Sequence, residues 1–414
     1  MRGGMERLAI HGGPKVRVDP PPYREAMGPE ERAAVTRVLE HYERSRTDPP
    51  YEGHFQREFE RAFAEGMGGG HARAVSSGSV ACFVAVRALR LPRGGEVIVS
   101  PVTDSGSVFA IIEAGLVPVV VDTEPLSYNT SWREIAHGLG DRTVAIFGVH
   151  CAGEPLDMGP IMRGAAQRGL QVIEDCSQAP WARVCNPTCQ CTVPLCEGRL
   201  VGTFGHVAAF STMYRKSLHS GGSGGVVYTT EETVARAMIE EADRGRPKWS
   251  SSYRGGDPGH ATVAALNHNT DEFSCAIASA SLSRLEDTVR RRREFLRALV
   301  TATAPLAAHA SPMVHSRGQS PFFMPIVLSE GLAAHKVEIA SALQAEGINL
   351  LPTYPCIVAD WEVSETLGIR VVKADNAREM KRRSFNLFLN ERYGRPEADE
   401  VAAALAKVIA HFAT

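Results

Sequence analysis

The sequence predicts an α/β fold, with a mainly parallel sheet in a large N-terminal domain and a smaller α+β C-terminal domain. Three observations carry this. Short β-branched runs recur as far as Thr230, each followed by a helix-like stretch. That alternation is the mark of a parallel sheet covered on both faces. After Asn269 it gives way to long helical periodicities. A chain of 414 residues also has room for two domains. The division is expected between 1–270 and 271–414, with a cysteine-rich insertion at 183–197.

The strand runs are VIVS ending at Ser100, VPVVVD at Asp122, TVAIFGVH at His150, QVIED at Asp175, VAAFS at Ser211 and GGVVYTT at Thr230. Between them, MGPIMRGAAQRG reads as an amphipathic helix stopped by a glycine. Arg244 to His260, rich in Gly, Ser, Arg and Pro, reads as a long loop near the domain junction. In the second half, Leu282, Leu285 and Val289 fall on one helix face, with the following RRRR as its solvated side. MPIVLS ends a strand at Ser329, and Val401, Leu405, Val408 and Phe412 repeat the helical spacing.

Composition excludes some classes. Lys plus Arg number 45 against 47 for Asp plus Glu. A net charge of -2 supplies no whole-protein attraction to nucleic acid or an acidic membrane surface. No apolar run reaches the roughly 20 residues that span a bilayer. MRGGMERLAIHGG lacks the apolar centre of a signal peptide, so a cytoplasmic location is expected. Nine cysteines in this length do not make a disulfide scaffold.

Ligands of open parallel sheets bind beyond the carboxyl ends of the strands. Asp175 closes one strand, and Lys216 follows another in AAFSTMYRKSLHSGG. Ser77, Gly78 and Ser79 precede a helix, SVACFVAVRALR. All three features belong at one mouth of the sheet, and together they suit pyridoxal phosphate (PLP). A deprotonated lysine forms an imine with an aldehyde. A carboxylate beside the pyridine nitrogen keeps it protonated, which makes the ring an electron sink. Helix-start amides and hydroxyls, with Ser211, suit a phosphate. Taken singly, each has an ordinary reading: a strand-end cap, a surface lysine, a helix start. Their order and separation carry the argument.

At these residues the chain resembles the DegT/DnrJ/EryC1/StrS (sugar) aminotransferase family. The likeness runs from LAIHGGPKVRV through AVSSGSVACFVAVRAL, VHCAGEPLDM, VIEDCSQA and GTFGHVAAFSTMYRKSL to NHNTDEFSCAIASASLSRLEDTVRRRREF. It implies the fold type I PLP-dependent transferase architecture with a seven-stranded sheet, and a homodimer with shared active sites. PLP is the implied cofactor, with pyridoxamine phosphate as intermediate. Lys216 becomes the Schiff-base lysine and acid/base, and Asp175 the partner of the ring nitrogen. Gln178 lies near the ring. Gly78, Ser79 and Ser211 bind the phosphate, and Asn267 reaches the phosphate of a neighbouring subunit. His150 reads as structural.

The departures fall at the substrate side. Asp104, counted among the cofactor-binding positions, stands where the family has a stacking aromatic. Pro180 replaces a histidine, Asn269 an arginine, and Ser223 an acid, beside one inserted residue. The expected activity is transfer of an amino group from glutamate or glutamine to a ketone or aldehyde, in secondary-metabolite or amino-sugar biosynthesis. The departures favour a carbonyl compound other than a nucleotide sugar. Dehydration on the same scaffold, or a PLP-binding protein with a regulatory role, are the alternatives; Lys216 argues against the first, whose representatives carry histidine there.

Cys185, Cys189, Cys191 and Cys196 follow C-x3-C-x-C-x4-C. Zinc, two disulfides or four free thiols all fit this spacing, and no metal site is assigned. Cys82, Cys151, Cys275 and Cys356 read as packing, and Cys176 as packing close to the pocket. Trp181 reads as packing or a pocket wall.

Overall fold

A computed structural model describes residues 6–184, 198–255, 257–316 and 318–413. The chain begins with α1 (Pro29–Ser45), α2 (His54–Gly66), β1 (His71–Val75), α3 (Gly78–Ala88), β2 (Glu96–Val99), α4 (Ser105–Glu113) and β3 (Val117–Val120). There follow α5 (Trp132–Gly138), β4 (Thr143–Val149), α6 (Met158–Gln167), β5 (Gln171–Asp175), β6 (Arg183–Val184), β7 (Arg199–Leu200), β8 (Val207–Ser211), β9 (Gly225–Thr229) and α7 (Glu232–Ala242). Two helices, α8 (Glu272–Ser283) and α9 (Leu285–Thr303), lead to β10 (Ala310–Pro312), β11 (Phe323–Leu328), α10 (Glu330–Ala333), α11 (Lys336–Ala345) and β12 (Leu350–Leu351). The last elements are β13 (Arg370–Val371), α12 (Asp375–Arg383), β14 (Ser384–Phe388) and α13 (Arg395–Ile409).

The predicted α/β class is what the chain adopts. The large sheet has the order β1-β9-β8-β5-β4-β2-β3-β13. Its centre is parallel, while β9 runs antiparallel to both β1 and β8. Strands β2, β8 and β9 are buried at every residue, as strands covered on both faces must be. An eighth strand beyond the implied seven comes from the two residues of β13, which extend the β3 edge. Arg370 holds that edge through Glu96 Oε2 at 3.0 Å. A separate antiparallel sheet, β10-β11-β14-β12, forms the smaller unit. Its core joins Phe295 and Leu299 of α9, Ile326 of β11, Phe385 of β14 and Leu405 of α13, together with Leu8 from the N-terminal segment.

Packing carries the large unit past residue 270. Cys275, Ala276 and Ala278 of α8 share a core with Phe55, Phe59 and Phe63 of α2.

Three local expectations need correction. Leu282 and Leu285 do not share a helix, because α8 ends before Arg284 (φ -108°, ψ 5°) and α9 begins after it. Arg284 turns away to pair with Glu30 at 2.8 Å and with Glu31, both on α1. The RRRR run is not one solvated side. Consecutive helical residues are 100° apart, so four of them point all round the axis. Arg290 and Arg291 pair outside with Asp287, while Arg292 and Arg293 are buried, at 1% and 5% exposure. The loop from Arg244 to His260 lies on the large unit, not at the junction. Lys248 is 2.6 Å from Asp243 and 2.9 Å from Glu52, and Trp249 Nε1 donates to Glu240 at 3.1 Å.

Candidate active site

A cavity of about 730 Å3 opens where the carboxyl ends of the large sheet face the small unit. Asp175 reaches it from the last position of β5. Its carboxylate is aimed by two short donors, with the Cys82 thiol a third at 3.9 Å. Ser107 Oγ donates to Oδ2 at 2.6 Å, and the Ser177 N–H donates to Oδ1 at 2.9 Å. Thr103 Oγ1 in turn donates to Ser107 at 2.9 Å. Neither Thr103 nor Ser107 stood out in the sequence. The only signal was their place around the start of α4, where hydroxyl residues normally cap.

Lys216 enters the same cavity from the loop after β8, with only 9% of its surface exposed. Burial pushes its amine below the ordinary 10.5, and the nearby carboxylates of Asp175 and Asp104 oppose that shift. Its Nζ lies 4.3 Å from the centre of the Phe322 ring, a contact that favours the cation as well. The amine is thus kept from water yet beside negative charge. That suits a group that must both release and accept a proton near neutral pH.

The anion cradle forms where three backbones approach closely. Ser77 caps α3, its Oγ accepting the Val80 N–H at 3.2 Å. The free first-turn amides of a helix favour negative charge. A Cβ at Gly78 would lie 2.6 Å from Ser211 Cβ, and one at Gly106 would lie 2.3 Å from Ser79 Oγ. Only glycine therefore lets α3, α4 and the end of β8 converge. Gly78, Ser79 and Ser211 all line the cavity. An amine, an oriented carboxylate and a helix-start cradle are the groups PLP requires, so these residues fit that cofactor.

Gln178 is locked on the opposite wall. Its Oε1 accepts the Ala152 N–H at 2.7 Å and its Nε2 donates to Tyr354 OH at 3.1 Å. Ala152 adopts a left-handed φ of 60°, a strained backbone that the Gln178 bond helps to hold. Asp104 also lines the cavity, as the cap of α4, with Oδ1 accepting the Gly106 N–H at 3.0 Å. Asp104→Ala is expected to lower stability by about 1 kcal/mol and Asp104→Asn by only a few tenths, since asparagine caps as well. Denaturant midpoints of the two variants test this; equal losses would contradict the capping role.

Not every expected residue is brought here. Asn267 is exposed and outside the cavity, donating to Tyr51 OH at 3.1 Å and accepting from Asn269 Nδ2 at 2.8 Å. Asn269 accepts from Arg73 at 2.7 Å. Ser223 does line the cavity and donates to Ser76 O at 2.7 Å. Cys82 and Cys356 pack in the core as expected and line the cavity as well. Cys176 and Trp181 lie in the hydrophobic core, with Trp181 edge-on to Phe63 at 5.5 Å. Cys185, Cys189, Cys191 and Cys196 lie outside the described residues.

His150 is fully buried behind the site. Its Nδ1 accepts the Leu156 N–H at 3.0 Å, so its Nε2 donates to Glu174 Oε2 at 3.1 Å. Glu174 also accepts from the N–H groups of Gly202, Phe204 and Gly205 at 2.8, 2.8 and 2.6 Å. Burial alone would raise its pKa, but His150 and these amides outweigh it and hold it below 4.5. With Cys176 this pair forms a compact group of metal-type side chains. Its histidine and carboxylate lone pairs are already taken by hydrogen bonds, and burial pushes the Cys176 thiol well up. The group is a brace for the strand ends.

Residues 26–406 match the family model of the DegT/DnrJ/EryC1/StrS aminotransferases. A GDP-perosamine synthase of Escherichia coli O157:H7 is 32% identical over 246 residues, 58% of this chain and 61% of that protein. An L-glutamine:2-deoxy-scyllo-inosose aminotransferase of Micromonospora echinospora is 31% identical over 294 residues, 70% of this chain and 67% of that protein. The crystal structure of an aminotransferase from Psychrobacter cryohalolentis superposes with a TM-score of 0.82 at 24% identity, covering 95% of this chain and all of that one. Among the described residues no helix is long and apolar enough to cross a membrane. The chain belongs to the DegT/DnrJ/EryC1/StrS family of PLP-dependent aminotransferases.

Proposed function

We propose that this chain moves an amino group from glutamate or glutamine to a ring ketone of a polyhydroxylated acceptor, a sugar or cyclitol, with Lys216 and Asp175 as the catalytic pair. The observation that carries this is the buried Lys216 amine in one cavity with an Asp175 carboxylate aimed by Ser107 and Ser177. When bound, PLP supplies an electron sink for the carbon that loses or gains a proton. Asp175 holds a positive charge at the ring nitrogen. Gly78, Ser79 and Ser211 hold the phosphate. Lys216 Nζ takes the proton from the donor's α-carbon and later returns one to the acceptor's carbon. Gln178, fixed by Ala152 and Tyr354, would lie beside the bound cofactor.

The acceptor class rests on two supports. Among curated relatives, one is named for a cyclitol ketone and another for an amino sugar on a nucleotide. Within the cavity, Arg24 and Arg292 are engaged by Glu391 and by backbone carbonyls, which leaves Arg215, over the Tyr214 ring, as the lining guanidinium open to an anion among the described residues. A single such guanidinium is sparse provision for a diphosphate, which favours an acceptor without a nucleotide. Asn267 stands exposed and away from its own cavity, which supports a homodimer in which it serves the other copy's phosphate site.

The test is a half-reaction. The PLP-loaded chain should lose its visible absorption on adding glutamate or glutamine and regain it with a keto-cyclitol. A band untouched by both donors would overturn the reading in favour of a non-catalytic PLP-binding protein. Efficient amination of nucleotide-linked keto-sugars alone would overturn the acceptor class.

A further inference from the structure

Glu391 belongs to the small unit, just beyond β14, and is 8% exposed. Two chain segments, α9 and the N-terminal segment, converge on it. Arg292 of α9 donates to its Oε2 from Nη2 at 2.8 Å and from Nε at 3.3 Å. Arg24 of the N-terminal segment stands 4.0 Å from Oε1, and the Glu25 N–H donates to Oε1 at 2.9 Å. Each arginine spends its remaining donors on the lysine's surroundings. Arg24 Nη2 donates to the Lys216 carbonyl at 2.8 Å, and its Nη1 to the Tyr214 carbonyl at 2.9 Å. Arg292 Nη1 donates to Ser217 Oγ at 2.9 Å and to the Pro321 carbonyl at 3.2 Å, next to the Phe322 ring that faces the lysine amine.

A single carboxylate thus sits behind both neighbours of the Lys216 backbone. Resting on the functional reading above, we propose that Glu391 is a positioning residue for Lys216. It fixes the lysine loop through Arg24 and Arg292 and balances their charge beside the cavity. Without it, two guanidiniums would remain next to the lysine, held only by carbonyls and Ser217 and with their charge unbalanced. Burial would raise the Glu391 carboxyl, but the charge and hydrogen bonds of Arg292, with Arg24, hold it down at about 2. It is therefore a fixed anion at every working pH. The groups facing Lys216 itself are Asp175, Asp104, Cys82 and Cys151, with Cys356 at the cavity wall. Those facing the arginines are Arg284, His219 and Glu31. His219 is held near 4 by burial and by Arg24 and Arg284, so it stays neutral above that value.

The experiment uses the full PLP-loaded chain and reads the pH midpoint of its visible band, the PLP dissociation constant and the thermal midpoint. Glu391→Gln keeps the shape and removes the charge. Its spectral midpoint should fall by about half a unit or more, a threefold change in proton affinity, because two uncompensated cations disfavour a third charge. Ser217→Ala removes one tether and leaves every charge in place. It should weaken PLP binding severalfold with the thermal midpoint nearly unchanged. Glu391→Asp should restore part of the Glu391→Gln shift. If Glu391→Gln does not fold, Arg24→Gln, which unbalances the other arm, takes its place and should raise the PLP dissociation constant severalfold. Unchanged midpoint and PLP affinity in the folded variants would overturn the proposal. A wild-type chain that forms no visible band would instead overturn the functional reading, and this one with it.

Discussion

Lys216→Ala is expected to lower turnover by at least about a thousandfold, at the upper part of what a positioned acid/base contributes. The loss follows from geometry. Among the described residues no other amine lines the cavity, and the guanidiniums that do, those of Arg24, Arg215 and Arg292, are donors that do not give up a proton in proteins. The variant should still fold, since an alanine leaves the Asp175 network and the α3 cradle untouched. It should also still bind PLP, through Asp175, Gly78, Ser79 and Ser211. Borohydride treatment followed by peptide mass analysis separates the two functions of the residue. The wild-type chain should retain coenzyme mass on the peptide that contains residue 216, and the variant should not. Turnover within tenfold of wild type, or label on another lysine, would remove Lys216 from its role.

The second large effect concerns stability. Glu174→Ala is expected to destabilise the chain by about 3–5 kcal/mol, the usual cost of breaking a fully buried, hydrogen-bonded charge network. Four donors converge on Glu174, and alanine would leave three backbone N–H groups and His150 Nε2 without an acceptor in the core. The pH dependence carries a sign that checks the cause. The folded-state pKa of Glu174 is depressed, so its contribution is complete above about 4.5 and is lost as pH falls through the folded value. Wild-type stability should therefore drop on acidification below pH 4.5 more steeply than that of Glu174→Gln. Parallel curves for the two proteins, or a loss under 1 kcal/mol in Glu174→Ala, would show that the network is not a brace. Strand β5 thus uses consecutive side chains for opposite tasks. Glu174 ties the strand ends together on one face of the sheet, and Asp175 serves the cavity on the other.

The fold class, the parallel sheet and the chemistry at its mouth were legible because they rest on local patterns. Alternating apolar runs fix which segments become strands, and the strand-end position of Asp175 and the loop position of Lys216 follow from those boundaries. The Ser77–Ser79 helix start is equally local, since a cap and its amides lie within four residues. The departures at Asp104 and Ser223 could be placed at the cavity for the same reason.

What could not be read were features set by partners distant in the chain. The RRRR run looked like a solvated face because charge usually is. Arg292 is buried with Glu391, 99 residues away, as its counter-charge and Ser217 and Pro321 as further acceptors. Ser107 aims Asp175 across 68 residues, and Tyr354 anchors Gln178 across 176. Leu282 and Leu285 keep a helical spacing in sequence, but the helix breaks at Arg284, which pairs with Glu30 and Glu31 on α1. From residue order alone one obtains the class of fold and the candidates for the reacting groups, since both depend on strand boundaries and near neighbours. Which charges are buried, and what aims the lysine and the aspartate, depend on contacts that exist only after the two units have packed together.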